Sequence, residues 1–286
     1  MTFVMNERRR MAVDALDPLP TSLTRLLAVT SSPDFDFGEV IDIVAHDMVL
    51  AGAVLRSANS AASAPSHQIH TVREAVLRLG AVQTMTAAMH SVVGAALHSD
   101  LHRYGLDAAK LWTHSCAASI AAGEVRRRAQ LSLPTSISTT ALLHDIGKIV
   151  LDRVAVDAPV DGLSSPDASA DEVCEMERRL FGIDHAEMGA LTAEMWNLPP
   201  AIVEGIAGHH RLLDDPLPSA VCLADHLAHL ACDDLSPVAL DAGSGAARSA
   251  AAILGITPQH VADAVGETRL QLDALNARIA STGTSR

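Results

Sequence analysis

Two Trp, one Tyr and four Phe are all the aromatic rings this chain of 286 residues has for building an interior. The core must therefore be filled by Leu, Ile, Val, Ala and Met, and a hydrophobic share of 49% is ample for that. Ala and Leu favour helix, and no stretch alternates with period two for long enough to make a sheet. An all-α fold follows, expected as a two-lobed helical bundle with a C-terminal helical extension.

The formal charge of -13 carries no basic stripe, which argues against binding a phosphate backbone, since that needs clustered Lys and Arg. The short runs Arg8-Arg9-Arg10 and Arg126-Arg127-Arg128 read as a tail and a solvated helix end. Cys116, Cys174, Cys222 and Cys232 form no C-x-x-C pair, and three of them fall in apolar helical stretches where Cys acts as a small hydrophobe. No apolar run reaches the roughly 18 residues of a membrane span, so a soluble, cytoplasmic protein is expected.

Punctuation along the chain divides it into a flexible segment 1–17, an N-terminal helical lobe 18–105, a second lobe 106–235 and an extension 236–286. In the first lobe Leu23, Leu26 and Leu27 make one apolar stripe, and Val40, Ile41 and Val44 make the next. Asp47 is placed to cap a third helix, Thr71 to Glu74 reads as a capping box, and Gly80 as a C-terminal cap. The second lobe predicts a long helix from about Asp107, one around 141–151, and others near 170–181, 184–195, 200–210 and 217–232. The last residues, Ser281 to Arg286, look disordered.

The most informative string is Leu142-Leu143-His144-Asp145-Ile146-Gly147-Lys148, in which an imidazole and a carboxylate interrupt a stretch predicted as one apolar helix. A carboxylate buried there must be paired or coordinated. Gly147 is costly in a helix interior and suggests that backbone or ligand comes close. Other polar residues repeat the anomaly. His114 lies three, four and seven residues before Ala117, Ala118 and Ala121. His185 lies four before Gly189, His209 three after Ile206, and Asp225 four after Val221. One such His is ordinarily a satisfied core residue, but several helices presenting His or Asp inward point to a metal site in a bundle interior. The competing reading is a hydrogen-bonded polar core without metal.

His114, the pair His144-Asp145 and Asp225 resemble the H, HD and D of the HD superfamily of metal-dependent phosphohydrolases. His185 with Gly189, and His209-His210, resemble the additional histidines of the HD-GYP branch. The resemblance implies His114, His144, Asp145, His185, His209 and Asp225 as ligands of one or two divalent ions (Fe, Mn, Zn, Ni or Mg), with His210 a weaker candidate. Lys148 matches the family lysine that contacts a substrate phosphate, so Asp145 and Lys148 are the catalytic candidates if the chain is an enzyme. Leu55 to Ser60, Val72 to Gly80, Trp112 to Ser115, Phe181 to Ala186 and Trp196 to Pro199 resemble the HDOD family, the HD-related output domains of bacterial signalling proteins, from about Pro18 to Leu235. After His209-His210 the chain reads Arg211-Leu212-Leu213-Asp214-Asp215-Pro216, a departure from the Glu and Gly-Tyr-Pro continuation of HD-GYP enzymes.

The resemblance implies a signalling module with a retained metal site, whose partner is a protein or a small phosphorylated ligand, not nucleic acid or membrane. A metal-dependent phosphohydrolase, not of typical HD-GYP type, is the alternative, and a metal-free interaction module the second. His226 and His229 read equally well as solvent-facing, and Trp112 and Trp196 as core anchors.

Overall fold

The computed structural model describes residues 19–32, 34–59, 68–93, 101–154, 163, 169–211, 214–232 and 245–283. Among them the regular elements are helices, and the one ladder contact is an isolated antiparallel bridge between Leu101 and Leu106. The expected all-α class is the observed one. The expectations for residues 1–17, including Arg8 to Arg10, lie outside the described residues.

Four helices open the fold. α1 (Thr21–Thr30) buries Leu23, Leu26, Leu27 and Thr30, and α2 (Phe37–Ala45) buries Val40, Ile41, Ile43 and Val44. Each fully buried Leu contributes about 1.5–3 kcal/mol relative to an exposed one. Asp47 caps α3 (Met48–Ala58) as expected, accepting from the N–H groups of Val49 and Leu50 at 2.8 and 3.0 Å. It also accepts from the Ser22 hydroxyl, which ties the start of α1 to the start of α3. α4 (Val72–Val93) is two helical stretches joined at Gly80, whose φ of 73° lies in the left-handed region that glycine enters without strain.

The helices that follow position the site. α5 (Ala108–Arg128) starts at its Asp107 cap and packs against α6 (Ile137–Leu143), α11 (Pro216–Cys232) and α13 (Pro258–Gly283). Between them in sequence come α7 (Ile146–Val154), α8 (Ala170–Phe181), α9 (His185–Met195), α10 (Pro200–Gly208) and, after α11, α12 (Gly245–Ile253). A capping box between Ser169 and Glu172 starts α8, left-handed Gly182 ends it, and Asp184 caps α9.

Three expectations are corrected. The single helix around 141–151 is two, because the chain turns at His144-Asp145 and Lys148 donates its N–H to the Asp145 carbonyl at 3.0 Å. Gly147 is therefore in the first turn of α7, and a Cβ on it would stand 1.9 Å from the His185 carbonyl oxygen, so the close approach is backbone against backbone. The helix near 200–210 ends at Gly208, which leaves His209 and His210 just beyond it. The last helix continues to Gly283, past Ser281 where disorder was expected.

The four cysteines form no disulfide among the described residues, and Cys116 and Cys174 are buried. No helix among the described residues is long and apolar enough to cross a membrane.

Candidate metal centre

The polar residues that interrupt the apolar faces of these helices meet at one place. α5 brings His114, the turn between α6 and α7 brings His144 and Asp145, and the first residue of α9 is His185. The turn after α10 brings His209 and His210, and α11 brings Asp225. Asp145 lies at the middle. Its Oδ2 is 3.5 Å from His144 Nε2, 4.0 Å from His114 Nε2 and 2.7 Å from Lys148 Nζ. Its Oδ1 is 3.4 Å from His185 Nε2. Asp225 Oδ1 is 2.9 Å from His114 Nε2 and 3.4 Å from His144 Nε2.

Two sets of ligand atoms share Asp145, and within each the atoms lie no more than 4.8 Å apart: His114 with His144 and Asp145, and Asp145 with His185 and His209. All six residues singled out in the sequence are thus brought together. His210 joins them, with its Nε2 2.9 Å from His185 Nε2.

The ring orientations are fixed from behind. His144 Nδ1 donates to the Ala141 carbonyl at 2.7 Å, and His209 Nδ1 to the Ile206 carbonyl at 2.6 Å. Both acceptors are carbonyls in the last turn of a helix. A carbonyl can only accept, so each Nδ1 carries the proton and each Nε2 turns a lone pair into the cluster. His185 Nδ1 lies 2.7 Å from Glu177 Oε2, the carboxylate partner typical of a ligating imidazole.

What the inner atoms face is the telling feature. Asp145 Oδ1 and His209 Nε2 are buried and have no hydrogen-bond partner among the described residues. A buried carboxylate oxygen and a buried imidazole lone pair left unsatisfied are costly, and a cation satisfies both. The donor set of neutral imidazoles with ionised carboxylates fits a borderline or hard divalent metal.

The electrostatics favour ionised carboxylates and neutral imidazoles at His114, His209 and His210, and run the other way at His144. Burial pushes the Asp145 carboxyl up, but the facing charges of His144, Lys148, His185 and His114 outweigh it and hold the group well below the usual carboxylate range. Asp225 is likewise held well below, its burial outweighed by His229, His114 and His144. Burial, reinforced by the neighbouring imidazoles, drives His209 well below its ordinary value and His210 down to about 3. Burial also lowers His114 despite its bond to Asp225. His144 moves up, because Asp145 and Asp225 together overcome its burial.

Two contributors escaped the sequence reading. Glu177 is fully buried and accepts from the His185 N–H at 2.8 Å and the Tyr104 hydroxyl at 2.7 Å, besides its contact with the His185 ring. It lies three residues after Cys174 and four before Phe181, on the apolar face of α8, and the pattern that marked Asp225 would have marked it too. His229, read as equally well solvent-facing, is more than half exposed yet reaches the cluster edge. Its Nε2 is 3.5 Å from Asp225 Oδ1, and its ring centroid is 4.4 Å from that of His114. Beside Asp145 an apolar cavity of about 20 Å³, lined by Leu111, Trp112, Leu142 and Ile149, has room for about one water.

The helices and this cluster define the class: an all-α protein with a buried His/Asp constellation built from helix faces and helix ends. Within it, the chain belongs to the HDOD domain family, whose match covers residues 16–212. Over its length the fold resembles an HDOD domain protein of unknown function from Geobacter sulfurreducens. The two are 22% identical with a TM-score of 0.70, covering 96% of this chain and 99% of that one. A candidate phosphohydrolase from Shewanella amazonensis SB2B is 26% identical with a TM-score of 0.66, covering 95% and 97%. An uncharacterized protein of Treponema pallidum (strain Nichols) is 24% identical over 207 residues, 71% of this chain and 39% of that protein. The chain thus spans about two fifths of the length of that relative.

Proposed function

We propose that this chain is a regulatory or output module of bacterial signal transduction that holds one or two divalent metal ions between His114, His144, Asp145, Asp225 and His185, His209. The observation that carries the metal is the pair of buried, unpartnered atoms, Asp145 Oδ1 and His209 Nε2. Membership of the HDOD family supports the signalling role. The departure from the Glu and Gly-Tyr-Pro continuation after His209-His210 supports a structural or sensory centre. In this reading the lobe 18–105 docks a protein partner, the lobe 106–235 carries the metal, and the protein works in the cytoplasm.

Lys148 favours a second reading, metal-dependent phosphohydrolase. Its ammonium sits 2.7 Å from Asp145 Oδ2, where it can also meet a phosphate oxygen, and the 26% identical relative is called a candidate phosphohydrolase. A divalent ion in such a site activates water and neutralises phosphoryl charge.

Elemental analysis tests the metal. Untagged wild type is compared with the His144→Ala, Asp145→Ala double variant, purified identically. About one or two equivalents of Fe, Mn, Zn or Ni in the wild type, lost in the variant, is the expected result. Wild type that stays metal-free after reconstitution overturns it. A phosphatase and phosphodiesterase screen of the loaded protein then separates the two readings.

A further inference from the structure

A second cavity, of about 300 Å³, lies where α1 and α4 face α5 and α6. That is at the lower end of the size range of small-molecule sites. Its lining includes the apolar side chains of Phe35, Met85 and Leu142. It also includes the hydroxyls of Ser119, Ser138 and Thr139, from residues 3%, 6% and 8% exposed.

These hydroxyls behave unlike others in the fold. Thr30, Thr140 and Thr192 are equally buried, but each donates back to the carbonyl four residues earlier, at 2.8, 3.1 and 2.9 Å. Ser119, Ser138 and Thr139 make no such bond, and their oxygens are not among the buried atoms left without a partner, so they open onto the cavity. Three hydroxyls free to turn toward one cavity suit a ligand with several acceptors.

Arg126 supplies the charge at the rim. Its Nε donates to the Leu133 carbonyl at 3.0 Å, which holds the guanidinium at the cavity and leaves the two Nη groups for an anion. Arg127 also lines the cavity, but its guanidinium is engaged by the buried carboxylate of Glu124. One available guanidinium, three hydroxyls and apolar lining residues match a single phosphate attached to a compact apolar or heterocyclic body.

We propose that this inter-helix cavity binds an organic phosphomonoester of about nucleoside-monophosphate size, with the phosphate between Arg126 and the hydroxyls of Ser119, Ser138 and Thr139. The body lies on Phe35, Met85 and Leu142. The site is separate from the metal centre and does not depend on metal being held there. It touches that centre through α6: Ser138, Thr139 and Leu142 line the cavity, and the next turn of the same helix ends at His144.

Isothermal titration calorimetry of the full chain with adenosine monophosphate, adenosine and inorganic phosphate tests this. The monophosphate is expected to bind saturably and more tightly than either part alone. Arg126→Ala, an exposed position whose loss leaves the core intact, is expected to weaken it ~10-fold or more. Thr139→Val, which removes a hydroxyl at nearly constant volume, is expected to weaken it as well, while Lys148→Gln leaves it unchanged. No binding of adenosine monophosphate overturns the proposal. Binding that Lys148→Gln abolishes and Arg126→Ala spares overturns it too, because the ligand then sits at the metal centre.

Discussion

His114 Nε2 and Asp225 Oδ1 stand 2.9 Å apart, joining the second turn of α5 to the middle of α11 across a closely packed helix pair. Because the same oxygen is 3.4 Å from His144 Nε2, Asp225 is where three chain segments converge on one carboxylate. Asp225→Asn keeps the shape and removes the charge. Its apparent dissociation constant for metal, measured by competition with a chromophoric chelator, is expected to rise ~10-fold or more. An unchanged constant removes Asp225 from the ligand set.

Glu177 acts one layer further out, holding the His185 ring and the backbone N–H at the start of α9. Glu177→Gln should weaken metal binding by about 10–100-fold, the usual effect of losing an outer partner of a ligating imidazole. The same chelator competition measures it. If only the melting temperature falls while affinity holds, Glu177 serves the packing of α8 and α9 and not the metal.

Gly147 tests the joint between α7 and α9. An alanine methyl would collide with the His185 carbonyl at 1.9 Å and with the Gly189 nitrogen at 2.7 Å, both backbone atoms that cannot rotate away. Gly147→Ala is expected to cost about 1–3 kcal/mol, the range for overpacking, read as a lower urea midpoint. Gly266→Ala is the control, since nothing lies within 4 Å of a Cβ there.

Asp47 gives the N-terminal helices a pH dependence of known sign. The Ser22 hydroxyl, more than the N–H groups of Leu50 and Val49, holds its carboxyl below the ordinary value against the effect of burial. The folded value is lower than the unfolded one, so this stabilisation is complete above the unfolded pKa of about 3.9 and is lost as pH falls through the folded value. Asp47→Ala should cost about 0.5–2 kcal/mol at neutral pH. Melting curves of the two proteins should draw together below about pH 4; a constant gap would mean that the cap acts without its charge.

Much of the site was legible because its residues violate local rules. His114 and Asp225 sit among alanines on faces that should be apolar, and His144-Asp145 interrupts a run of Leu, Ile and Val. The break at that dipeptide was not legible, because the apolar pattern runs through both α6 and α7 and the turn comes from a tertiary contact, Gly147 against His185. Glu177 was passed over because its neighbours Asp171, Glu172, Glu175, Arg178 and Arg179 read as a solvated face, although its spacing from Cys174 and Phe181 puts it on the apolar side of α8. His229 became visible only once the crossing of α5 and α11 set its ring beside that of His114.

The turn at His144-Asp145 has a mechanical meaning. His144 keeps helical backbone angles, so its side chain and that of Asp145 leave the chain in different directions, about 100° apart as on a helix, and meet at their tips. The turn that follows interrupts the ladder of backbone hydrogen bonds that would make α6 and α7 one rod. The angle between the two pieces is then set by what the side chains at the elbow grip, so an ion held there works as a splint, and its loss would loosen the frame on which α9 is hung.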